Sequence, residues 1–209
     1  MREELGLRLL GLARGPIALA SKSPRRRELL GRLEVPHFCV DVDVLEGDLE
    51  PGEAPEDYVV RLSRRKLAAA RSAAEEGGAY VVLAADTVVV LGDEVLEKPV
   101  DKADAARLLG KISGRWHDVW TGIALHRLHD DRILTHAERS RVHIDLGDAE
   151  TRDAYIETNE PMDKAGAYGI QGFGGLFVPH IEGDYFNVMG LPLAALRALC
   201  LRLEADEAR

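Results

Sequence analysis

Residues 80–91 read Tyr-Val-Val-Leu-Ala-Ala-Asp-Thr-Val-Val-Val-Leu, an apolar run broken by one acid, Asp86. Apolar residues in sequence without alternation suit a strand covered on both faces, either one strand or two with a bend. A carboxylate inside such a strand is costly unless it is paired or bound to a metal. Asp86 is therefore either a strand-end aspartate capping a turn, or a general base or metal ligand.

Around this run, helical and strand patterns interleave, which indicates an α/β fold. A first strand, Ile17–Ala20, leads into a helix over about residues 24–33 and a strand over about 35–42. An acidic loop at 45–55 precedes a long helix, Pro55–Glu76, that ends at Gly77 and Gly78. Further on, the patterns predict a helix at 101–112 closed by Ser113 and Gly114. A hairpin of 117–128 and 132–146 turns around His129, Asp130 and Asp131. A helix at 148–158, a glycine-rich stretch at 166–175, a strand near 176–181 and a last helix from about Leu193 complete the chain. There are no internal repeats.

A length of 209 residues suits one domain or two small lobes with a shared core, and 46% hydrophobic content supplies that core without a disulfide or metal staple. Cys39 and Cys200 are far apart and form no CxxC pair, which argues against a zinc site and for a reducing compartment, the cytoplasm. No apolar run approaches the ~20 residues of a membrane helix. Glu3, Glu4, Arg8 and Arg14 interrupt any signal-peptide core, so residues 1–15 are expected to form a short amphipathic extension outside a catalytic unit at 16–205. A net charge of −9 disfavours a nucleic-acid polymer as partner. The basic residues cluster locally, at Arg25, Arg26 and Arg27 and again at Arg64, Arg65 and Lys66, which suits a small polyanion.

Ser23 is a good N-cap and Pro24 a good first helical residue, and a helix N-terminus binds phosphate through its free N–H groups and dipole. The plain alternative is a capped helix with solvated arginines. On a helical wheel Arg26 falls on the buried stripe of Leu29, Leu30 and Leu33, Arg25 on its flank, and Arg27 outside. An inward guanidinium needs a partner, and a triphosphate would supply one. In the long helix, Lys66 sits within the stripe of Tyr58, Val59, Leu62, Ala69, Ala70 and Ala73, opposite Arg61, Arg64, Arg65 and Arg71. It is either a phosphate ligand or a snorkelling lysine. Lys98, twelve residues beyond Asp86 on a predicted turn, gains interest only beside that acid. Glu46, in the acidic loop, is a further carboxylate candidate.

These pieces stand in an order that resembles the Maf family of nucleotide pyrophosphatases. They are Leu19-Ala20-Ser21-Lys22-Ser23-Pro24-Arg25-Arg26, Tyr58-Val59-Val60-Arg61-Leu62 with Lys66, Ala85-Asp86-Thr87-Val88-Val89 and Glu97-Lys98-Pro99. Thr121-Gly122, Asp163-Lys164-Ala165-Gly166-Ala167-Tyr168-Gly169-Ile170-Gln171-Gly172, Gly183-Asp184-Tyr185 and Gly190-Leu191-Pro192 follow. Any one piece is weak; the ordered set, spread over about residues 17–200, is specific.

The resemblance implies an elongated α/β fold, a mixed sheet flanked by helices, with two lobes and a central cleft, similar to inosine-triphosphate pyrophosphatases. It implies a homodimer that uses a divalent cation, Mg²⁺ or Mn²⁺. It implies that Asp86 is the proton acceptor, with Lys66 and Lys98 catalytic, Ser21, Arg25, Arg26, Thr87 and Gln171 on the substrate, and Glu46 with Asp86 on the metal. The Asp86 and Gln171 motifs are similar to the branch that cleaves dTTP and UTP to the monophosphate and pyrophosphate, and less so to the 7-methyl-GTP branch. A rival reading is a nucleotide-binding regulator of septum formation. A binder needs the cations but not Asp86, whose presence favours an enzyme.

Overall fold

Two short parallel pairings organise the first half of the chain. Strand β1 (Ile17–Ala20) pairs with β2 (His37–Cys39) on one side and with β3 (Val81–Leu91) on the other, in register from Ile17 against Val81 to Ala20 against Ala84. The computed structural model describes residues 2–44, 47 and 49–205, with the backbone alone for Arg2 and Glu3. Among these, seven strands form one mixed sheet in the order β2-β1-β3-β5-β6-β7, with β4 paired off β3. Helices flank it, as an α/β sequence requires.

The remaining elements follow in chain order. They are α1 (Arg2–Leu10), α2 (Pro24–Arg32), α3 (Pro55–Glu76), β4 (Glu94–Leu96), α4 (Lys102–Ile112), β5 (Arg115–Arg127), β6 (Arg132–Ile144), α5 (Ala149–Glu157), β7 (His180–Glu182), α6 (Tyr185–Val188) and α7 (Leu193–Ala205). Three 3₁₀ turns, Glu160–Asp163, Ala165–Ala167 and Phe173–Phe177, lie between α5 and β7. Of the strand expected near 176–181, Leu176 and Phe177 end a 3₁₀ turn instead, and β7 begins only at His180 and is confined to three residues. The strand expected over 35–42 is likewise reduced to three, because its partner β1 offers only four residues to pair with.

The chain divides into two compact units. The first comprises residues 1–86, 121–138 and 190–209; the second comprises 87–120 and 139–189. In the first, alanines of β1 and β3 (Ala18, Ala20, Ala84) pack with Leu67, Ala70 and Ala74 of α3. Small side chains let the helix lie close to the strands. At Gly122 of β5 the approach is closest: a Cβ there would run into the carbonyl of Val59. Helix α1 belongs to this unit and packs against α7, where Arg197 donates to the carbonyl of Leu9 at 2.9 Å. A nine-residue helix is too short to persist alone. Leu7, Leu10 and Leu12 are buried, and each contributes about 1.5–3 kcal/mol toward holding it in place.

In the second unit, Leu108, Leu109 and Ile112 of α4 meet Val142 and Ile144 of β6 and Tyr155 and Ile156 of α5. Asp101 and Asp148 cap α4 and α5 by accepting from the amides of Asp104 and Thr151, each three residues on.

Candidate active site

Strand β1 ends at Ala20, while β3 runs on past its last position opposite β1, Ala84. Asp86 lies two residues beyond that position, and Ser21 lies one residue beyond the end of β1. Ser21 therefore leaves the carboxyl end of β1, and Asp86 lies within β3 just past the stretch that pairs with β1, at the edge where open α/β sheets carry their ligands.

From Ser21 the chain turns into α2. Ser23 takes the N-cap position with extended backbone, Pro24 opens the helix, and no acid occupies the first turn. The Ser23 side chain makes no capping bond; instead the Ser23 amide donates to Oγ of Ser21 at 3.1 Å. Arg26 reaches back one turn and donates from its guanidinium to the same Oγ at 3.1 Å and, through Nε, to the carbonyl of Gly190 at 2.7 Å. It is 8% exposed, whereas Arg25 is half-buried and Arg27 exposed, the order the wheel predicts. The inward guanidinium thus has protein oxygens as partners and ties the strand-to-helix turn to the segment that starts α7. Lys22, by contrast, points outward to Asp43 at 2.5 Å.

Helix α3 delivers Lys66. Pro55 opens the helix, Glu56 and Asp57 stand at its positive end, and its last turn passes into Gly77 and Gly78, the latter with φ +70. The buried face is Tyr58, Val59, Leu62, Ser63, Leu67, Ala70 and Ala74; Ala69 and Ala73, expected inside, are exposed. Lys66 lies between Leu62 and Ala70 on this face, and its Nζ donates to Oδ1 of Asp86 at 2.5 Å. Asp86 itself is 5% exposed. The cost of burying the acid is offset by the half-buried ammonium that pairs with it. Arg61, one turn earlier, is taken up by Glu53 at 2.6 Å, and this holds the Glu53 carboxyl down at about 2.

The second unit holds the other expected residues. Thr87 is half-buried, next to Asp86 in sequence on β3. Lys98 is exposed on the irregular segment after β4, rather than on the expected turn. Gln171 is exposed on the loop between two 3₁₀ turns. Glu46 lies outside the described residues. Glu160 and Tyr155 escaped sequence reasoning: the Glu160 carboxylate accepts from the amides of Phe173 and Gly174 at 2.8 and 2.9 Å and from the Tyr155 hydroxyl at 2.9 Å. No local pattern signals an acid that acts thirteen and fourteen residues away.

Among the described residues no group of three or more His, Cys, Asp and Glu side chains is placed to hold a metal ion. Asp86 offers one carboxylate. A hard cation such as Mg²⁺ keeps several waters and needs only one or two carboxylates when substrate phosphates supply the rest. This donor set fits an ion shared with a phosphate-bearing substrate.

Fold and charged groups together define a mixed α/β protein that sets an acid-free helix entrance at the end of β1 and a lysine-paired carboxylate on the neighbouring parallel strand β3. Residues 16–203 match the model of the Maf family, described as Maf-like protein, and the chain belongs to that family. Among its relatives, a protein of Geotalea uraniireducens named dTTP/UTP pyrophosphatase is 47% identical over 196 residues, 93% of this chain and 98% of the relative. A protein of Exiguobacterium sibiricum with the same name is 46% identical over 197 residues, covering 94% and 95%. One from Anaeromyxobacter dehalogenans, named likewise, is 48% identical over 195 residues, covering 89% and 93%.

Proposed function

We propose that this protein hydrolyses dTTP and UTP at the α-phosphorus, releasing the nucleoside monophosphate and pyrophosphate. The observation that carries the reading is the Lys66–Asp86 pair at 2.5 Å, on β3 just past the stretch paired with β1, in a chain whose relatives are named dTTP/UTP pyrophosphatase. The catalytic part is residues 16–205, acting as a homodimer in the cytoplasm. The family resemblance supports this, and among the described residues no helix is long and apolar enough to cross a membrane. The net charge of −9 favours a nucleotide over a nucleic-acid polymer.

Phosphoryl hydrolysis asks little covalent chemistry of a protein, so its residues position groups and stabilise charge. In the resting site the ammonium of Lys66 donates to the Asp86 carboxylate and so occupies it. Triphosphate oxygens compete for Lys66 and free Asp86 to take a proton from the attacking water, and Arg25 and Lys98 are further cations for the phosphates. Ser21 and Arg26 hold the phosphate-facing turn of α2 in shape. Asp86, with Glu46 from the acidic loop, would hold Mg²⁺ or Mn²⁺, which when bound neutralises charge on the phosphate oxygens.

Thr87 and Gln171 read the base. Uracil and thymine share an N3–H donor and an O4 acceptor, and cytosine presents the reverse at N4. A site built for one pattern leaves polar groups unpaired against the other. The test is a pyrophosphate-release screen over canonical and modified nucleoside triphosphates. UTP and dTTP should lead, with CTP poorer; faster turnover of 7-methyl-GTP than of UTP would reject the assignment.

A further inference from the structure

The glycine-rich loop that carries Gln171 is folded around a carboxylate. Glu160 follows α5 and accepts three hydrogen bonds: Oε2 from the Phe173 amide at 2.8 Å, and Oε1 from the Gly174 amide at 2.9 Å and the Tyr155 hydroxyl at 2.9 Å. The Tyr155 oxygen in turn accepts from the Gly169 amide at 3.1 Å. The loop is thus held on both sides of Gln171, at Gly169 before it and at Phe173 and Gly174 after it. Lys164 closes the base of this arrangement by donating to the Glu160 carbonyl at 2.6 Å.

The glycines are explained by the same carboxylate. A Cβ at Gly172 would collide with Oε2 of Glu160. One at Gly174 would meet the Tyr155 oxygen at 2.6 Å, and one at Gly169 the Lys164 side chain at 2.5 Å. Positions 169, 172 and 174 lack side chains because the chain wraps tightly on Glu160 and its partners there. Gln171, between these anchors, is exposed. A base-reading amide on a loop discriminates only as well as the loop is fixed.

We propose that Glu160 is a positioning residue for base selection, holding the Gln171 loop in the one geometry that favours uracil and thymine over cytosine. This rests on the reading of Gln171 as a base contact. Glutamine cannot replace Glu160, because its NH₂ group would face an amide or hydroxyl donor that the carboxylate accepts. Charge-assisted bonds of this kind are the strong ones, so losing one should be felt.

The experiment measures kcat and KM for UTP and CTP, with thermal melting, on the full chain and on Glu160→Gln, Tyr155→Phe, Gln171→Ala and the Glu160→Gln/Gln171→Ala double variant. Glu160→Gln should lower the UTP-to-CTP ratio of kcat/KM by about tenfold, mainly by raising KM for UTP. Tyr155→Phe, which removes only the hydroxyl, should act in the same direction and serves if Glu160→Gln does not fold. In the Gln171→Ala background Glu160→Gln should change the ratio no further. Amide exchange at Gly169, Phe173 and Gly174 should speed up in Glu160→Gln and stay slow in Gln171→Ala. An unchanged ratio in Glu160→Gln and Tyr155→Phe, with a collapsed ratio in Gln171→Ala, would overturn the role of Glu160 alone. An unchanged ratio in Gln171→Ala would overturn the base-contact reading and the role of Glu160 with it.

Discussion

The ammonium of Lys66 and the carboxylate of Asp86 meet at 2.5 Å, with side-chain exposures of only 15% and 8%. The strand supplies the acid and the helix supplies the cation that pairs with it.

Two variants separate their roles. Asp86→Asn keeps size and hydrogen bonding and should lower turnover by about 10²-fold or more, the scale of a lost general base. It should remain folded and bind nucleotide, since a neutral amide is cheaper to bury than a carboxylate. Lys66→Met leaves a carboxylate facing no lysine and should cost about 3 kcal/mol of stability, so it should melt below Asp86→Asn. Arg64→Ala, on the exposed side of the same helix, should alter neither property. Turnover and melting on all three check this; near-normal turnover in Asp86→Asn removes it from the mechanism, and activity restored by excess metal makes it a metal ligand.

Arg26 and Arg27 are neighbours with opposite fates. Arg26→Lys cannot span Ser21 and Gly190 with one ammonium, because the planar fork is lost. It should lower kcat/KM for UTP by about tenfold or more through loss of a charge-assisted contact. Arg27→Ala, at an exposed position, should stay within about 0.5 kcal/mol in stability and leave kcat/KM unchanged. Steady-state kinetics and melting on the two variants decide it; equal losses would deny Arg26 its special place.

Gly122→Val places a branched side chain against the Val59 carbonyl, which is backbone and has little room to yield. Overpacking of this kind costs about 1–3 kcal/mol, and here it displaces the helix that carries Lys66. The variant should lose melting temperature and turnover together. A stable variant with low activity, or the reverse, would separate the two effects and contradict the coupling.

Much of this geometry was legible in the sequence, for identifiable reasons. Pro55 and the Gly77-Gly78 pair are strong punctuation, and α3 begins and ends where they predict. The wheel on α2 sorts Arg25, Arg26 and Arg27 correctly because Leu29 and Leu30 mark its buried face, although Leu33, expected on the same stripe, is the C-cap and exposed. On α3 the same method places Ala69 and Ala73 inside when they are exposed, since alanine carries little information about facing. The short β2 and the 3₁₀ turn at Phe173–Phe177 depend on partners distant in sequence, β1 and Glu160. Periodicity cannot report such partners, and so Glu160 was invisible until the loop was seen wrapped on it.

A pH effect follows from His117, which is 3% exposed and bonded to the Tyr168 hydroxyl at 2.8 Å. Burial pushes its pKa from 6.5 down to about 4. Between these values the unfolded chain takes up a proton that the folded one refuses. Stability from this group is therefore full above pH 6.5, falls as the pH drops toward 4, and loses about 3 kcal/mol by then. Melting between pH 8 and pH 4.5 should show the decline, and His117→Gln should flatten it. An equal slope in the variant would place the acid sensitivity elsewhere.

The central claim is tested most directly by hydrolysing UTP in ¹⁸O-labelled water and identifying both products by mass. Attack at the α-phosphorus predicts UMP and pyrophosphate, with the label in UMP. UDP with inorganic phosphate, or a label found in pyrophosphate, would contradict it.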